Sequence, residues 1–474
     1  MKLSGITRFK KKSQLILLAS VTGLLATGCQ TYQQQNKVIT NWQEGRLNEA
    51  ADKAKSLADK NANNRDAIVW RLEEGSVLRA VGRYDDSNQA FDLAQDKIDD
   101  YARRAKVRVG QEAGALFSNQ ATLDYEGRSY DGIMLNTYKA LNYLALGEAD
   151  KARPELIHAY QRQQDAVDAN KKRIAEAQAA VDQSKDKAAI ERAQNDPQLQ
   201  SQITTATANL DSVKVYANYV NPFTVYLDGL YFMADASDAS DRERARKSFE
   251  RVNEFVPGNT YVKQDLTLAN DVMAQKSLLP TTYVIFETGC APQRGQVRID
   301  IPIIVFKVSY VGVAFPTLQF QGNYMPSLTV VADNHSFPTE LVGSMDSVIT
   351  SDFKNEEPAV VTKTIAATVI KAVAAYAAND AVGQAGGDLG GLLAQIGTAV
   401  YQAAVNIADE RTWTTLPKEF QIARVPTPAD RKIDLITPSG VKTSVNLEPG
   451  TVNVVYVKSI NAVTPMLVSQ FKLK

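Results

Sequence analysis

The hydrophobic pattern changes period at Leu279-Pro280, and that change divides the chain into two structural regimes. From Trp42 to about Lys276 apolar residues recur at helical spacing. Beyond Pro280 the runs are short, β-branched and aromatic, as strands require. Helices first and strands second predict an α+β protein, with an all-α part over 42–278 and a β-rich part over 279–474. Thr282 to Glu287 reads as a strand, Thr288 to Pro292 as a turn, and Gln296 to Val305 as the returning strand. Further strand candidates are Tyr310–Ala314, Ser327–Ala332, Glu419–Val425, Ile433–Ile436, Thr451–Ser459 and Leu467–Leu473, with Gly440 in a turn. They predict an antiparallel β domain interrupted by an apolar helical hairpin over 357–409. Glu357-Pro358 opens its first helix, from Ala359 to about Ala381, and the second runs from Leu389 to about Ala408 without a charged residue. Lys363, Lys371 and the excess of alanine over leucine favour burial of this hairpin, with membrane insertion as the alternative.

Within the helical half one local pattern recurs. Gly45-Arg46-Leu47-Asn48-Glu49-Ala50 is echoed at Gly82 to Ser87, again at Leu144 to Arg153, and loosely at Arg244 to Phe249 before Val256-Pro257-Gly258-Asn259. A glycine permits the tight helix–helix turn and an alanine lets the paired helices approach. This resembles degenerate tetratricopeptide (TPR) repeats, and implies an irregular helical repeat array. Between the third and fourth echoes, 160–216 is rich in Gln, Ala, Asp and Lys, and Val167, Ile174, Val181 and Ala188 recur every seven residues. We read a long projecting helical hairpin that turns near Asn195-Asp196-Pro197, a candidate contact arm whose deletion leaves the fold intact. Solvated repeat helices are the alternative. The aromatic stripe Tyr226, Leu227, Leu230, Tyr231 and Phe232 reads as repeat core.

The N-terminus carries an address. Arg8, Lys10, Lys11 and Lys12 precede an apolar run from Leu15 to Leu25, and Ala26-Thr27-Gly28 leads directly to Cys29. A basic segment followed by a short apolar run is the layout of a secretory signal, too short for a spanning helix. With Cys29 behind it, the whole resembles the lipobox of bacterial lipoproteins. That resemblance implies a signal peptide over 1–28, diacylglycerol on the Cys29 thiol, an acyl chain such as palmitate on its new amino group, and a polar tether over 29–41. Gln30, where inner-membrane lipoproteins typically carry Asp, implies sorting to the outer membrane.

Three further strings resemble one uncharacterised family of bacterial lipoproteins. They are Leu135 to Arg153, Phe286 to Pro292, and Thr412-Trp413-Thr414-Thr415-Leu416-Pro417 leading into Ile422-Ala423-Arg424. The resemblance implies N-terminal TPR-like repeats, a β-rich C-terminal domain and no assigned activity. It also gives a loose association with lipoproteins that stimulate cell-wall synthases.

Composition and motifs narrow the chemistry. The 53 basic and 53 acidic residues cancel, so no global field marks a nucleic-acid binder. With Cys29 lipidated, Cys290 has no intramolecular disulfide partner and reads as a buried, inert thiol. The only histidines, His158 and His335, are far apart, and phosphate-loop, nucleophile-elbow, His-Glu-x-x-His and Cys-x-x-Cys patterns are missing. Asp333-Asn334-His335 reads as a turn. Asp346, Asp352, Glu356 and Glu357, near Lys354, read as a solvated loop, and Tyr125 and Tyr130 stay unassigned. No catalytic, cofactor-binding or metal residue is assigned; Cys29 is the one site residue. The expectation is a periplasm-facing scaffold or regulator of envelope biogenesis, cell-wall synthesis being one candidate process. It would bind protein partners and the membrane, but no nucleic acid, with self-association left open. The alternatives are a subunit of an envelope export or transport assembly and, third, an enzyme acting on glycan or peptide.

Overall fold

The computed structural model describes residues 37–107, 123–217, 219–302, 310–374 and 408–474. The expected signal segment 1–28, Cys29, the expected tether as far as residue 36 and nearly all of the apolar stretch 389–408 lie outside the described residues.

The first half is helical, as its periodicity requires. Its helices are α1 (37–43), α2 (Leu47–Lys60), α3 (Ala67–Ala80), α4 (Tyr84–Val107), α5 (Ser129–Ala145) and α6 (Ala149–Asp182). They are followed by α7 (Lys187–Gln194), α8 (Pro197–Thr207), a 3-10 turn (Ala208–Ser212), α9 (Pro222–Ala234), α10 (Ala239–Phe255) and α11 (Thr260–Met273). Successive helices pack on one another through tight turns. Gly82 and Gly147, between α3 and α4 and between α5 and α6, both sit at φ 77°, a left-handed backbone that strains any residue with a Cβ. The α3–α4 contact is equally exacting: a Cβ on Gly75 would collide with the Phe91 ring. Side-chain caps start the later helices. Asn221 accepts from the backbone N–H groups of Phe223 and Thr224, with Pro222 at the first helical position, and Asn259 accepts from Val262 N–H.

The second half holds β1 (Thr281–Thr288), β2 (Gln293–Pro302), β3 (Tyr310–Gln319), β4 (Thr329–Ala332), β5 (His335–Pro338) and β6 (Glu340–Ser344). After helix α12 (345–374) come β7 (Glu419–Pro426), β8 (Lys432–Ile436), β9 (Lys442–Asn446), β10 (Val452–Ser459) and β11 (Leu467–Lys472). Three sheets form: β11-β10-β1-β7-β6, the ribbon β2-β3, and β5-β4-β8-β9. The architecture is therefore α+β. The sheets are antiparallel except for one pair, β1 with β10, which runs parallel from Thr281↔Val452 to Thr288↔Ser459. Among the described residues no helix is long and apolar enough to cross a membrane.

Several sequence expectations need correction. The strand after Cys290 does not return along β1 but pairs with β3, from Gln293↔Gln319 to Pro302↔Tyr310. Every residue of β1 is buried, so it takes a central place between β7 and β10. Gly289 (φ 71°) and the bond from Ala291 N–H to Leu416 O then lead the chain off the sheet. Glu357-Pro358 does not open a helix. Pro358 lies inside α12, which starts at residue 345 because Met345, Val348, Ile349 and Phe353 already form a buried helical face. The acidic set 346–357 is accordingly helical rather than a solvated loop, with Asp352 and Glu356 buried. By contrast, Asp333 and Asn334 do form the β4–β5 turn, at φ 46° and 61°.

Two hydrophobic clusters organise the molecule. The main one runs from Val38 to Leu473, through α2–α5, α9–α11, the five-stranded sheet and the start of α12. The helical and β-rich halves thus share a core. The second is an outer lobe: Val181 at the end of α6, Ile190 of α7 and Leu199 and Ile203 of α8 meet Ile299, Ile301, Val311, Val313 and Phe315 of the ribbon, together with Ile365, Ala366 and Val369 of α12. The segment 160–216 is therefore not a bare arm. α6 spans 34 residues, about 51 Å, and its far end is packed. Deleting 160–216 would uncover the ribbon and α12 and remove Leu210 and Tyr216 from the main core, so the fold would not survive that deletion intact.

Candidate functional site

The seam between the halves is built from buried carboxylates, each supplied with donors from across the boundary. Glu73 of α3 is fully buried. One of its oxygens accepts from Thr414 N–H (2.6 Å) and the Thr414 hydroxyl, the other from Thr415 N–H (3.2 Å) and the Thr415 hydroxyl (2.7 Å). Trp413 between β6 and β7 donates its indole N–H to Ser76 (2.9 Å) and packs its ring on Phe91 and Tyr138. Burial pushes the Glu73 carboxyl up to about 7, against the pull of those four donors.

Glu287 of β1 accepts from the Tyr138 hydroxyl of α5 (2.9 Å), the Tyr456 hydroxyl and the Lys458 ammonium. Burial opposes its charge, yet Lys458 and Arg79 hold the carboxyl below its ordinary range. Asp265 of α11 takes hydroxyl bonds from Tyr226 and Tyr283, both 2.8 Å, and an ion pair with Arg424 of β7 at 3.2 Å. There burial wins and pushes the carboxyl up to about 6. All three sequence strings singled out above sit on this seam: Tyr138 in the first, Glu287 in the second, Trp413, Thr414, Thr415 and Arg424 in the third.

A fourth cluster joins the main core to the outer lobe. Glu356 of α12 pairs with Arg128 (3.1 Å), Arg173 of α6 (3.0 Å) and Arg294 of β2 (2.9 Å). Arg128 also reaches Asp409 at 3.2 Å, and Arg411 pairs with Asp409 (2.7 Å) and Asp66 (3.2 Å). Burial opposes the charge on Glu356, but the three guanidinium groups hold its carboxyl well below the ordinary range. Asp352, one helical turn earlier, is 1% exposed and neither of its oxygens has a hydrogen-bond partner. This cluster escaped the sequence reading. Its signal was an acidic i, i+4 pair on an amphipathic helix, but the arginines come from elements 62 to 228 residues away.

The residues picked from the sequence are distributed plainly. Cys290 is free and buried, and burial raises its thiol to about 11, which disfavours the thiolate. Tyr125 and Tyr130 are buried, bonded through their hydroxyls to Asp131 (2.5 Å) and Thr412 (3.2 Å), so they present no open aromatic trap. His158 and His335 are exposed and apart. Among the described residues no group of three His, Cys, Asp or Glu side chains could hold a metal ion. Glu73, Glu287 and Asp265 are each engaged by donors from across the boundary, so the seam fastens the two halves. No family model, curated protein or solved structure matches the chain.

Proposed function

We propose that this chain is an outer-membrane lipoprotein, anchored through lipid on Cys29 and facing the periplasm, that works by binding other envelope proteins. The observation that carries the reading is the ordered N-terminal string: basic segment, apolar run, Ala26-Thr27-Gly28, Cys29. A chain with three acyl groups stays on a bilayer, since each buried methylene contributes about 0.8 kcal/mol. The binding role draws support from the helix pairs with glycine turns at Gly82 and Gly147, which fit a TPR-like array. Consumption of the buried acids within the seam also favours binding over catalysis. The outer lobe is the natural contact surface, and a cell-wall synthase or its activator is the partner class that the lipoprotein resemblance suggests.

Two measurements test this. Cells fed labelled palmitate should give a labelled protein in the outer-membrane fraction and an unlabelled, soluble Cys29→Ala variant; an unlabelled wild type overturns the anchor. In-cell crosslinking should then recover a cell-wall enzyme or activator reproducibly. Recovery only of large self-crosslinked oligomers would favour the export-assembly reading instead.

A further inference from the structure

The polar cluster around Glu356 occupies the same level on three of the elements that link the main core to the outer lobe, whereas β3 passes from Phe315 of the lobe to Leu318 of the core without a charge. On α12, Ile349 and Phe353 belong to the main core and Ile365 and Val369 to the lobe, with Glu356 between them. On α6, Leu156 belongs to the core and Val181 to the lobe, with Asn170 and Arg173 between. At the ribbon, Ala291 belongs to the core and Ile299 to the lobe, with Arg294 between. Three linking elements thus cross a belt of charge rather than a continuous apolar packing. Side chains in a hydrophobic core resist sliding because they interdigitate, whereas ion pairs can exchange partners. This is a neck.

Within the neck the charges are unevenly shared. All three arginines are engaged by Glu356, and Arg128 turns also to Asp409. Asp352 receives no hydrogen bond, and the Nε atoms of Arg128 and Arg294 are likewise without partners. The charged and titratable groups that act on Asp352 are Glu356 on its own helix, Arg294 of β2, Arg173 of α6, Arg128 and Tyr130 at the start of α5, and Tyr219 ahead of α9. A buried carboxylate without a bonded partner is costly, whereas its neutral acid is tolerated.

We infer that the outer lobe is hinged on this neck, and that a proton on Asp352 holds it in the position seen here. Once ionised, Asp352 must compete with Glu356 for the same three guanidinium groups or move out to water, and α12 carries the lobe with it. Burial and the adjacent Glu356 carboxylate raise the Asp352 carboxyl above its ordinary range, in keeping with a proton retained in the closed arrangement. The inference rests on the neck geometry alone and is independent of the lipid anchor and of any partner.

Amide hydrogen exchange on the full soluble chain, measured from pH 5 to 8.5 and corrected for the intrinsic chemical rate, tests it. In the wild type the opening equilibrium of lobe amides in β2, β3 and the far half of α12 should rise with pH, by up to about tenfold per unit above the ordinary carboxyl value until Asp352 itself titrates. In Asp352→Asn, which mimics the neutral acid, that rise should be lost, while β1 and α9 behave as in the wild type. Asp352→Leu serves as a second uncharged variant should the asparagine disturb folding. A wild-type lobe whose opening ignores pH, or an uncharged variant that keeps the wild-type slope, overturns the proton's role. A difference spread equally over β1 and α9 overturns the hinge.

Discussion

At the scale of single residues, the protein buries carboxylates and satisfies several of them, Glu73, Asp265 and Glu287 among them, from the opposite half. Glu73 shows the consequence most sharply, because two of its four donors are backbone N–H groups that cannot re-aim. Glu73→Ala should cost on the order of 3–5 kcal/mol in denaturant unfolding, from two orphaned buried donors; a loss under about 1 kcal/mol would mean that water replaces the carboxylate. The same burial sets a pH dependence. Asp131 and Asp265 are pushed up to about 6 and Glu73 to about 7, all above their ordinary values near 4. The folded chain therefore holds these protons more tightly than the unfolded one, and their contribution to stability declines as pH rises from about 4 towards 7. Glu287 and Asp409 lie below their ordinary range, so their contribution is full at neutral pH and is lost as the pH falls below about 4. The thermal midpoint should accordingly peak in mild acid and fall between pH 5 and pH 8. A midpoint that climbs over that interval contradicts this account.

At the scale of elements, what was legible in the sequence was local. Helical spacing before Pro280, the glycine turns at Gly82 and Gly147, the Asp333-Asn334 turn and the long strands β1, β7 and β10 all declare themselves through neighbours a few residues away. Pairing did not. β1 lies parallel to β10 across 171 residues of chain, and nothing in Thr282 to Glu287 says which strand will lie beside it. β5 and β9 are mostly exposed and carry few apolar residues, so no alternation marks them, and Pro358 marked a helix start that the buried face of Met345 to Phe353 overrides. The caps were legible only as residue types. Asn221 is 1% exposed and accepts two backbone N–H groups at the start of α9, so Asn221→Ala should cost about 1–2 kcal/mol in the same unfolding experiment. Asn221→Ser should cost less, because it keeps a cap acceptor without burying a charge against Met134 and Met345.

At the scale of the whole molecule, the sequence suggests two domains meeting at Pro280, whereas the structure gives one core shared by both halves with a lobe on a polar neck. The site that matters for cohesion was half visible: Thr412 to Pro417 stood out as a distinctive string, but its partners Glu73 and Ser76 lie more than 330 residues earlier. The binding role proposed above then places partner surfaces outside the seam, on the lobe and the outer faces of the helices. The shared core is the claim on which the rest depends, and hydrogen exchange across a urea titration tests it directly by comparing amides of α3 and α4 with those of β1 and β10. One common midpoint is the predicted result. Separate midpoints, with the β strands melting while α3 and α4 keep their protection, would contradict it.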